Sequence, residues 1–366
     1  MRIYSKNSKI SFVGTLAFSL ALFITSCNKK DDFNPLEENS WALTLSLGDA
    51  VSLKSQVPSN IRYTKGEWII NGNVVSNEES IQFKEYKAGT YDIEFIAYND
   101  KKVFSKKGTI EVEQYAITAT TANSMFATQL FEYTPAPGQF INKSPGDLAS
   151  AKSVLGTKTG LVTLGAFGGS IVLGFEKSIL NKEGDDIVIY NNAFTNFAEP
   201  GVIWVMEDTN GNGKPDDIWY EIKGSEYGKE GYIRNYTVTY IRPEPITANV
   251  PWKDNLGVTG EIKKIGSQSH FPLWLGVKEY TVKGTLLPST NIVFGNFVTS
   301  GAFDKGYADN AAGNDEIDIA DAMDENGNTV SLNSIRFVKI QTGILADMKS
   351  LGELSTEIKG VEGLNF

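Results

Sequence analysis

The chain has 366 residues and a formal net charge of −10, with one cysteine (Cys27) and one histidine (His270). The negative charge disfavours a protein that follows phosphate backbones, so we expect no nucleic-acid partner. A single cysteine excludes an internal disulfide, and a single histidine excludes a His-rich zinc centre and disfavours a Ser-His-Asp triad.

The first 27 residues have the pattern of a secretory leader. Arg2, Lys6 and Lys9 precede an apolar segment at 10–24, which is shorter than the about 20 residues that a membrane span needs. Ile-Thr-Ser then precedes Cys27 and resembles the lipobox at which a lipidated cysteine becomes the new N-terminus. We therefore expect Cys27 to carry a lipid that anchors the chain without a span. The alternative is an ordinary signal peptide with an incidental cysteine.

Residues 28–40 are polar, contain Pro35 and predict a tether. Within them, Lys30-Asp31-Asp32 resembles the export signal of Bacteroidetes surface lipoproteins. This resemblance implies an outer-membrane protein that faces the cell exterior. The alternative is a solvated linker on a lipoprotein of the periplasmic leaflet.

Residues 41–115 predict a small antiparallel β-sandwich. Apolar residues alternate at 41–47 and at 91–98, and Asn71-Gly72 lies between two apolar runs, which indicates a hairpin. Trp68 and the sequence Ala-Gly-Thr-Tyr at 88–91 resemble the Ig-type PKD-like module. That resemblance implies a folded stalk with no chemistry of its own.

Residues 116–366 predict a larger, jelly-roll-like β-sandwich with long loops, so that the whole chain is all-β. Glycine is abundant, at 35 residues, and short apolar runs recur without a long amphipathic helix. The expected strands cover 161–164, 170–175, 186–190, 201–206, 236–240, 280–282, 291–294 and 336–340.

Five segments of this larger region resemble the C-terminal domain of Bacteroidetes cell-surface lipoproteins encoded beside TonB-dependent uptake systems, including those for cobalamin (vitamin B12). The resemblance implies a protein that binds a nutrient, with cobalamin first and a glycan as the alternative, and a TonB-dependent transporter as partner. The segments lie at 164–175, 185–194, 198–227, 270–275 and 306–343.

An oxygen-rich loop follows the apolar run at 201–206. Its spacing, Asp-x-Asn-x-Asn-Gly, matches the first half of a calcium loop, although Trp219 takes the twelfth place, where a bidentate acid is usual. The sequence leaves two interpretations open: a structural calcium site, or a polar hairpin turn without metal. The candidate ligands are Asp208, Asn210, Asn212, Asp216 and Asp217.

The segment at 243–275 has few strand signals and is rich in aromatic residues. Exposed aromatic rings on a loop can stack on a sugar or on a flat macrocycle, so we expect a ligand site there. The alternative is that these rings close the end of the core. The candidate residues are Trp252, His270, Phe271 and Trp274.

Acidic residues cluster again near the C-terminus. Asp309, Asp315, Asp318 and Asp321 favour a solvated acidic rim, with a contribution of Asp318 and Asp321 to a metal site as the alternative. No carboxylate pair stands in a recognisable catalytic motif, so we expect a binding protein and not an enzyme. A structural or adhesion protein without a small ligand is the second functional class that the sequence leaves open.

Overall fold

A computed structural model describes residues 41–366. The predicted signal peptide, lipidated Cys27 and polar tether lie outside the described residues. Within 41–366, no helix is long and apolar enough to cross a membrane. The fold is all-β, as the sequence predicts, and contains several sheets and one short α-helix.

The N-terminal region forms two sheets that enclose Trp68. The indole of Trp68 is fully buried and packs on Phe95 and Trp41, with ring centroids 5.0 and 5.3 Å away. Asn71 and Gly72 have φ angles of +48° and +80° and form the predicted two-residue hairpin. The strands are β1 (Trp41–Ser46), β2 (Ala50–Lys54), β3 (Lys65–Ile70), β4 (Asn73–Ser76), β5 (Ser80–Lys84), β6 (Gly89–Asn99) and β7 (Lys101–Glu113).

In this region, the first sheet has the order β1-β7-β6-β3-β4 and the second pairs β2 with β5. The β1–β7 pair is parallel, whereas the other pairs are antiparallel. We call this part the first sandwich. Its assignment to the PKD-like module, and the domain boundary near residue 115, stay predictions.

The rest of the described chain contains one α-helix, α1 (Leu148–Ser153), and three 3-10 helices at Leu273–Leu275, Ile319–Asp321 and Lys349–Leu351. The strands are β8 (Tyr115–Ala116), β9 (Gln129–Thr134), β10 (Val162–Thr163), β11 (Ser170–Leu180), β12 (Ile187–Asn191), β13 (Gly201–Met206), β14 (Tyr220–Ile222), β15 (Ile233–Ile241), β16 (Val250–Asp254), β17 (Thr259–Ile262), β18 (Glu279–Leu286), β19 (Ile292–Val293), β20 (Thr299–Ser300), β21 (Asn314–Ile317), β22 (Ala322–Met323), β23 (Ser334–Thr342) and β24 (Glu357–Gly363).

These strands build a larger sandwich around β23. A seven-stranded sheet, β22-β14-β13-β23-β11-β9-β8, packs on a four-stranded sheet, β10-β24-β12-β21. Ile203, Val338 and Ile171 lie on the inner face of the large sheet, in the same core as Ile189 and Val361 of the small sheet. Strands buried on both faces lose the polar–apolar alternation, which explains why β13 and the first half of β11 are nearly continuous apolar runs.

A third sheet, β17-β16-β15-β18, overturns one expectation. The segment at 243–275 is not the loop with few strand signals that the sequence predicts, since it contains β16 and β17. The sequence pattern does not predict these strands, because they contain Pro251 and Gly260, and both residue types are rare inside strands. Trp252 and Gly260 are cross-strand partners, and the indole lies where a side chain at 260 would be.

Candidate functional site

The aromatic residues predicted to bind a ligand are mostly engaged in packing. Phe271 is fully buried and meets the ring of Tyr280 edge-on at 5.5 Å. His270 is also buried, and its Nε2 lies 2.9 Å from the carbonyl oxygen of Ile265. Burial lowers the pKa of His270. Nothing in the described structure supports contact of these two residues with a ligand, and their role as ligand-binding residues stays a prediction.

The two tryptophans of this segment are half-buried and lie apart from each other. Trp252 covers Gly260 on the β16–β17 pair. Trp274 packs on Tyr86 of the first sandwich, at 4.7 Å between ring centroids, and is stacked on Tyr133 at 6.4 Å. The structure thus does not bring Trp252, His270, Phe271 and Trp274 together into one exposed aromatic surface.

Most side-chain oxygens of the oxygen-rich loop accept hydrogen bonds. Asp208 Oδ2 accepts from Arg336 Nη1 at 2.8 Å and from the backbone N–H of Gly213 at 3.0 Å, while Asp208 Oδ1 is buried without a partner. Hydrogen bonds from the side-chain amides of Asn212 and Asn210 lower the pKa of Asp216.

The other carboxylate of the loop, Asp217, accepts from the backbone N–H of Thr209 at 2.9 Å. Within residues 41–366, no group of three or more Asp, Glu, His or Cys side chains is placed to hold a metal ion. Calcium binding by Asp208, Asn210, Asn212, Asp216 and Asp217 stays a prediction.

The acidic stretch near the C-terminus is not a solvated rim along its whole length. Asp309 and Asp315 are buried, whereas Asp318 caps a 3-10 helix by accepting from Ala320 N–H at 2.7 Å, and Asp321 pairs with Lys305 at 2.8 Å. Burial raises the pKa of Asp315 to about 6. The expectation of a solvated rim therefore holds for the last two residues and is wrong for the first two.

Asp309 belongs to a group of four carboxylic acids that we call the carboxylate cluster: Glu199, Asp309, Glu353 and Glu357. Glu199 lies just before β13, Asp309 lies between β20 and β21, and the other two lie on the connection from β23 to β24 or at its end. This connection joins the seven-stranded sheet to the four-stranded sheet. Its backbone N–H groups are not paired with a neighbouring strand.

The cluster supplies hydrogen-bond acceptors for these amides. Ser355 N–H donates to Glu199 Oε1 at 3.0 Å, and Glu357 N–H donates to Asp309 Oδ2 at 2.7 Å. Gln139 N–H donates to Glu353 Oε1 at 2.8 Å. Unpaired backbone N–H groups are costly when buried, so the cluster has a structural reason to be where it is.

The cluster carries little compensating positive charge. Among the described residues, no lysine, arginine or histidine forms an ion pair with any of its four members. Burial raises the pKa of Glu353 to about 7. Burial, and then the neighbouring carboxylates, raise the pKa values of Glu199 and Asp309 well above the ordinary range. The cluster therefore holds protons at a pH where exposed acids are ionised.

Three members of the cluster form one wall of a cleft of about 400 Å³, which we call the aromatic–carboxylate cleft. Glu353 is 4% exposed, and its Oε2 has no hydrogen-bond partner. Phe194, 60% exposed, lies at the cleft and stacks on Phe197 with ring centroids 4.7 Å apart. The other lining residues are Gln139, Phe140, Asn192, Ala193, Ala198, Glu199, Ser300, Met348, Leu351, Ser355 and Glu357.

This cleft offers a flat apolar surface next to groups that donate and accept hydrogen bonds. An ionised carboxylate only accepts, whereas a protonated carboxyl also donates. The amide of Asn192 donates to Glu357 Oε2, which fixes that carboxyl group at the wall. Such a combination suits a ligand with one apolar face and several hydroxyl groups.

The carboxylic acids of this site have no local signal in the sequence. Its carboxylic acids are separated by up to about 160 positions and come together only when the two sheets pack. The one usable hint is Phe194, an aromatic residue in a polar stretch that follows a strand.

Comparisons with known proteins place the chain in no family. No protein-family model matches it, and no curated protein matches it. Two solved structures align over much of its length. A SusE-like protein is 7% identical, with 87% of this chain and 94% of that chain covered and a TM-score of 0.22.

The other solved structure is a quinonprotein alcohol dehydrogenase-like protein from Bacteroides thetaiotaomicron. It is 13% identical, with 77% of this chain and 57% of that chain covered and a TM-score of 0.22. TM-scores this low carry no information on the function of the present chain.

The stability of the protein should depend on pH through Glu353. A folded-state pKa raised from 4.5 to about 7 stabilises the fold fully below pH 4.5, and this contribution is lost as the pH rises through 7. Urea unfolding at pH 5 and pH 8 should give a lower free energy of unfolding at pH 8. Glu353→Gln should reduce that difference by on the order of 3 kcal/mol. Glu316→Gln, at an exposed position, is the control, and an unchanged difference in Glu353→Gln contradicts the assignment.

If the oxygen-rich loop binds calcium, chelator should lower the melting temperature. The binding linkage is worth about 2.7 kcal/mol at a hundredfold excess over the dissociation constant. Asp216→Asn should abolish the calcium response without breaking the Asp208–Arg336 pair. Asp324→Asn, in a second Asp-x-Asn-Gly turn, is the control and should leave the calcium response unchanged. Identical melting curves with calcium and with chelator reject the site.

Proposed function

We propose that this protein is a lipid-anchored binding protein of the outer cell surface that captures a saccharide in the aromatic–carboxylate cleft. One observation carries the proposal. The exposed ring of Phe194, stacked on the half-buried Phe197, lines the same cleft as a buried carboxyl oxygen, Glu353 Oε2, that has no partner among the described residues.

The chemistry of a sugar ring suits both walls of this cleft. One face of a pyranose presents C–H groups that pack on an aromatic ring, here Phe194, while the equatorial hydroxyls point sideways. A buried polar atom without a partner costs free energy, and a ligand hydroxyl that forms a hydrogen bond with Glu353 Oε2 removes that cost. A cavity of about 400 Å³ lies within the usual range for small-ligand sites.

Cobalamin, which the family resemblance implies, is the second ligand to test. The only histidine of the chain, His270, is buried and turned towards a backbone carbonyl, so it does not support ligation of cobalt. The aromatic–carboxylate cleft is also small for a corrin ring. We therefore place the saccharide first.

We also propose that the protein is anchored by a lipid and displayed on the outer membrane. The lipobox-like sequence before Cys27 and the following Lys-Asp-Asp support a lipid anchor and display on the outer membrane. A binding protein displayed there would pass its ligand to a TonB-dependent transporter. No catalytic motif accompanies the cleft, so we propose binding without turnover.

The proposal is tested by calorimetry on the full-length protein with a glycan panel and with cobalamin. Phe194→Ala should weaken saccharide binding about 5- to 150-fold, the effect of losing about 1–3 kcal/mol of contact, because the ring face is removed. The melting temperature should stay nearly unchanged, since Phe194 is mostly exposed.

Phe297→Ala is the matched control, because Phe297 is 85% exposed on the neighbouring β19–β20 hairpin and does not line the cleft. It should bind the saccharide like the natural protein. Equal binding by the Phe194→Ala variant, or heat released with cobalamin and with none of the glycans, contradicts the saccharide proposal.

A further inference from the structure

A second and larger cleft, of about 680 Å³, lies between the first sandwich and the outer face of the seven-stranded sheet. We call it the inter-sandwich cleft. Ala88 and Val112 of the first sandwich form part of one wall, and Phe131, Val172 and Lys339 belong to the other. It shares no lining residue with the aromatic–carboxylate cleft.

Strand register decides which side chains face this cleft. Trp204 of β13 pairs with Lys339 of β23, Lys339 pairs with Val172 of β11, and Val172 pairs with Glu132 of β9. Paired residues point to the same side of a sheet, so these four side chains form one row across its outer face. An irregularity in the β9–β11 register next to Glu132 leaves Phe131 without a partner residue, and Phe131 also lines the cleft.

The lysines that line the cleft are paired with acids, with one exception. Glu132 binds Lys87 at 2.9 Å and Thr134 at 3.0 Å, and Lys214 binds Glu111 at 3.1 Å. These contacts fix one acid of the row and one lysine at the rim.

The exception is Lys339. Its Nζ makes no hydrogen bond or ion pair with any residue in the range 41–366, and it lies 5.4 Å from the centre of the Trp204 ring. Burial lowers the pKa of Lys339, and Glu132 opposes that effect only in part. This half-buried ammonium group has lost part of its hydration, and a bound anion would offset that loss.

An apolar surface lies beside this ammonium group. Phe131 and Val172 pack in a small cluster with Phe337, and the half-buried indole of Trp219 packs against that cluster and lines the cleft. Glu113 and Asp216 also line the cleft. Their negative charges favour a singly charged ligand over a dianion such as phosphate.

We propose that the inter-sandwich cleft binds a small organic acid: a single carboxylate on a ring with a flat apolar face, the carboxylate at Lys339 Nζ and the ring against Trp219 and Phe131. The ring can be aromatic or that of an acidic sugar, and the test distinguishes the two.

The experiment measures binding to the full-length protein by calorimetry, with two acids and their uncharged analogues. Indole-3-acetate is compared with indole-3-acetamide, and galacturonate is compared with galactose. At least one acid should bind roughly 10- to 100-fold more tightly than its uncharged analogue, because only the acid makes a charge-assisted hydrogen bond with Lys339.

Lys339→Met, which keeps the apolar stem, should abolish this preference for the acid. Lys177→Met is the control, since Lys177 is exposed on β11 and does not line the cleft. Equal affinity for acid and analogue, or no binding of either acid at millimolar concentration, overturns the proposal. So does an undiminished preference in a folded Lys339→Met variant. The comparison of acid with analogue uses the natural protein, so it decides the matter even if Lys339→Met does not fold.

Discussion

The larger sandwich depends on how the chain leaves one sheet and enters the other. Between β23 and β24, buried backbone N–H groups have no neighbouring strand to pair with, and each needs another hydrogen-bond acceptor. Carboxyl oxygens of Glu199 and Asp309 accept from the amides of Ser355 and Glu357. The crossing is thus held by acids that are themselves buried and have no basic partner among the described residues.

Buried acids without counter-charges have a consequence for function. Ionising all four would place like charges close together in a medium of low polarity, so the protons stay on at a pH where exposed acids lose them. The wall of the aromatic–carboxylate cleft is then a set of fixed hydrogen-bonding groups of low net charge. A neutral polyhydroxylated ligand fits such a wall better than an ionic one does.

The seven-stranded sheet presents a different environment on its outer face, towards the first sandwich. On β23, Val338 and Ile340 face the core between the sheets, whereas Lys339 faces the inter-sandwich cleft. Strand alternation therefore places one ammonium group among apolar neighbours, with the first sandwich opposite. The aromatic–carboxylate cleft is lined by acids with raised pKa values. The inter-sandwich cleft contains an ammonium group that forms no ion pair with the described residues, so the two proposed ligands differ in charge.

Much of the fold can be predicted from the sequence, because it is encoded locally. The alternation at 91–98 falls within β6, Asn71-Gly72 forms the predicted hairpin, and the strand-like runs at 201–206 and 336–340 fall on β13 and β23. The strands β16 and β17 escape prediction, because Pro251 and Gly260 are unusual strand residues whose places are set by neighbouring strands and by the indole of Trp252.

The candidate site cannot be predicted in the same way. Asp309 has the sequence context of a solvated acid, and only the position of Glu357 N–H explains its burial. His270 and Phe271 have the context of an exposed loop, yet they fill a core that exists only after the third sheet packs. In each case the decisive partner is distant in sequence.

The protonation of the carboxylate cluster is the central claim, and carbon-13 NMR of glutamate side-chain carboxyl groups tests it most directly. The resonance that disappears in Glu353→Gln identifies Glu353, and its chemical shift is followed from pH 4 to pH 9. A titration midpoint near 7 is the predicted result, since burial raises the pKa of Glu353 to about 7. A midpoint near the ordinary value of 4.5 would show an ionised, solvated carboxylate and would contradict the account.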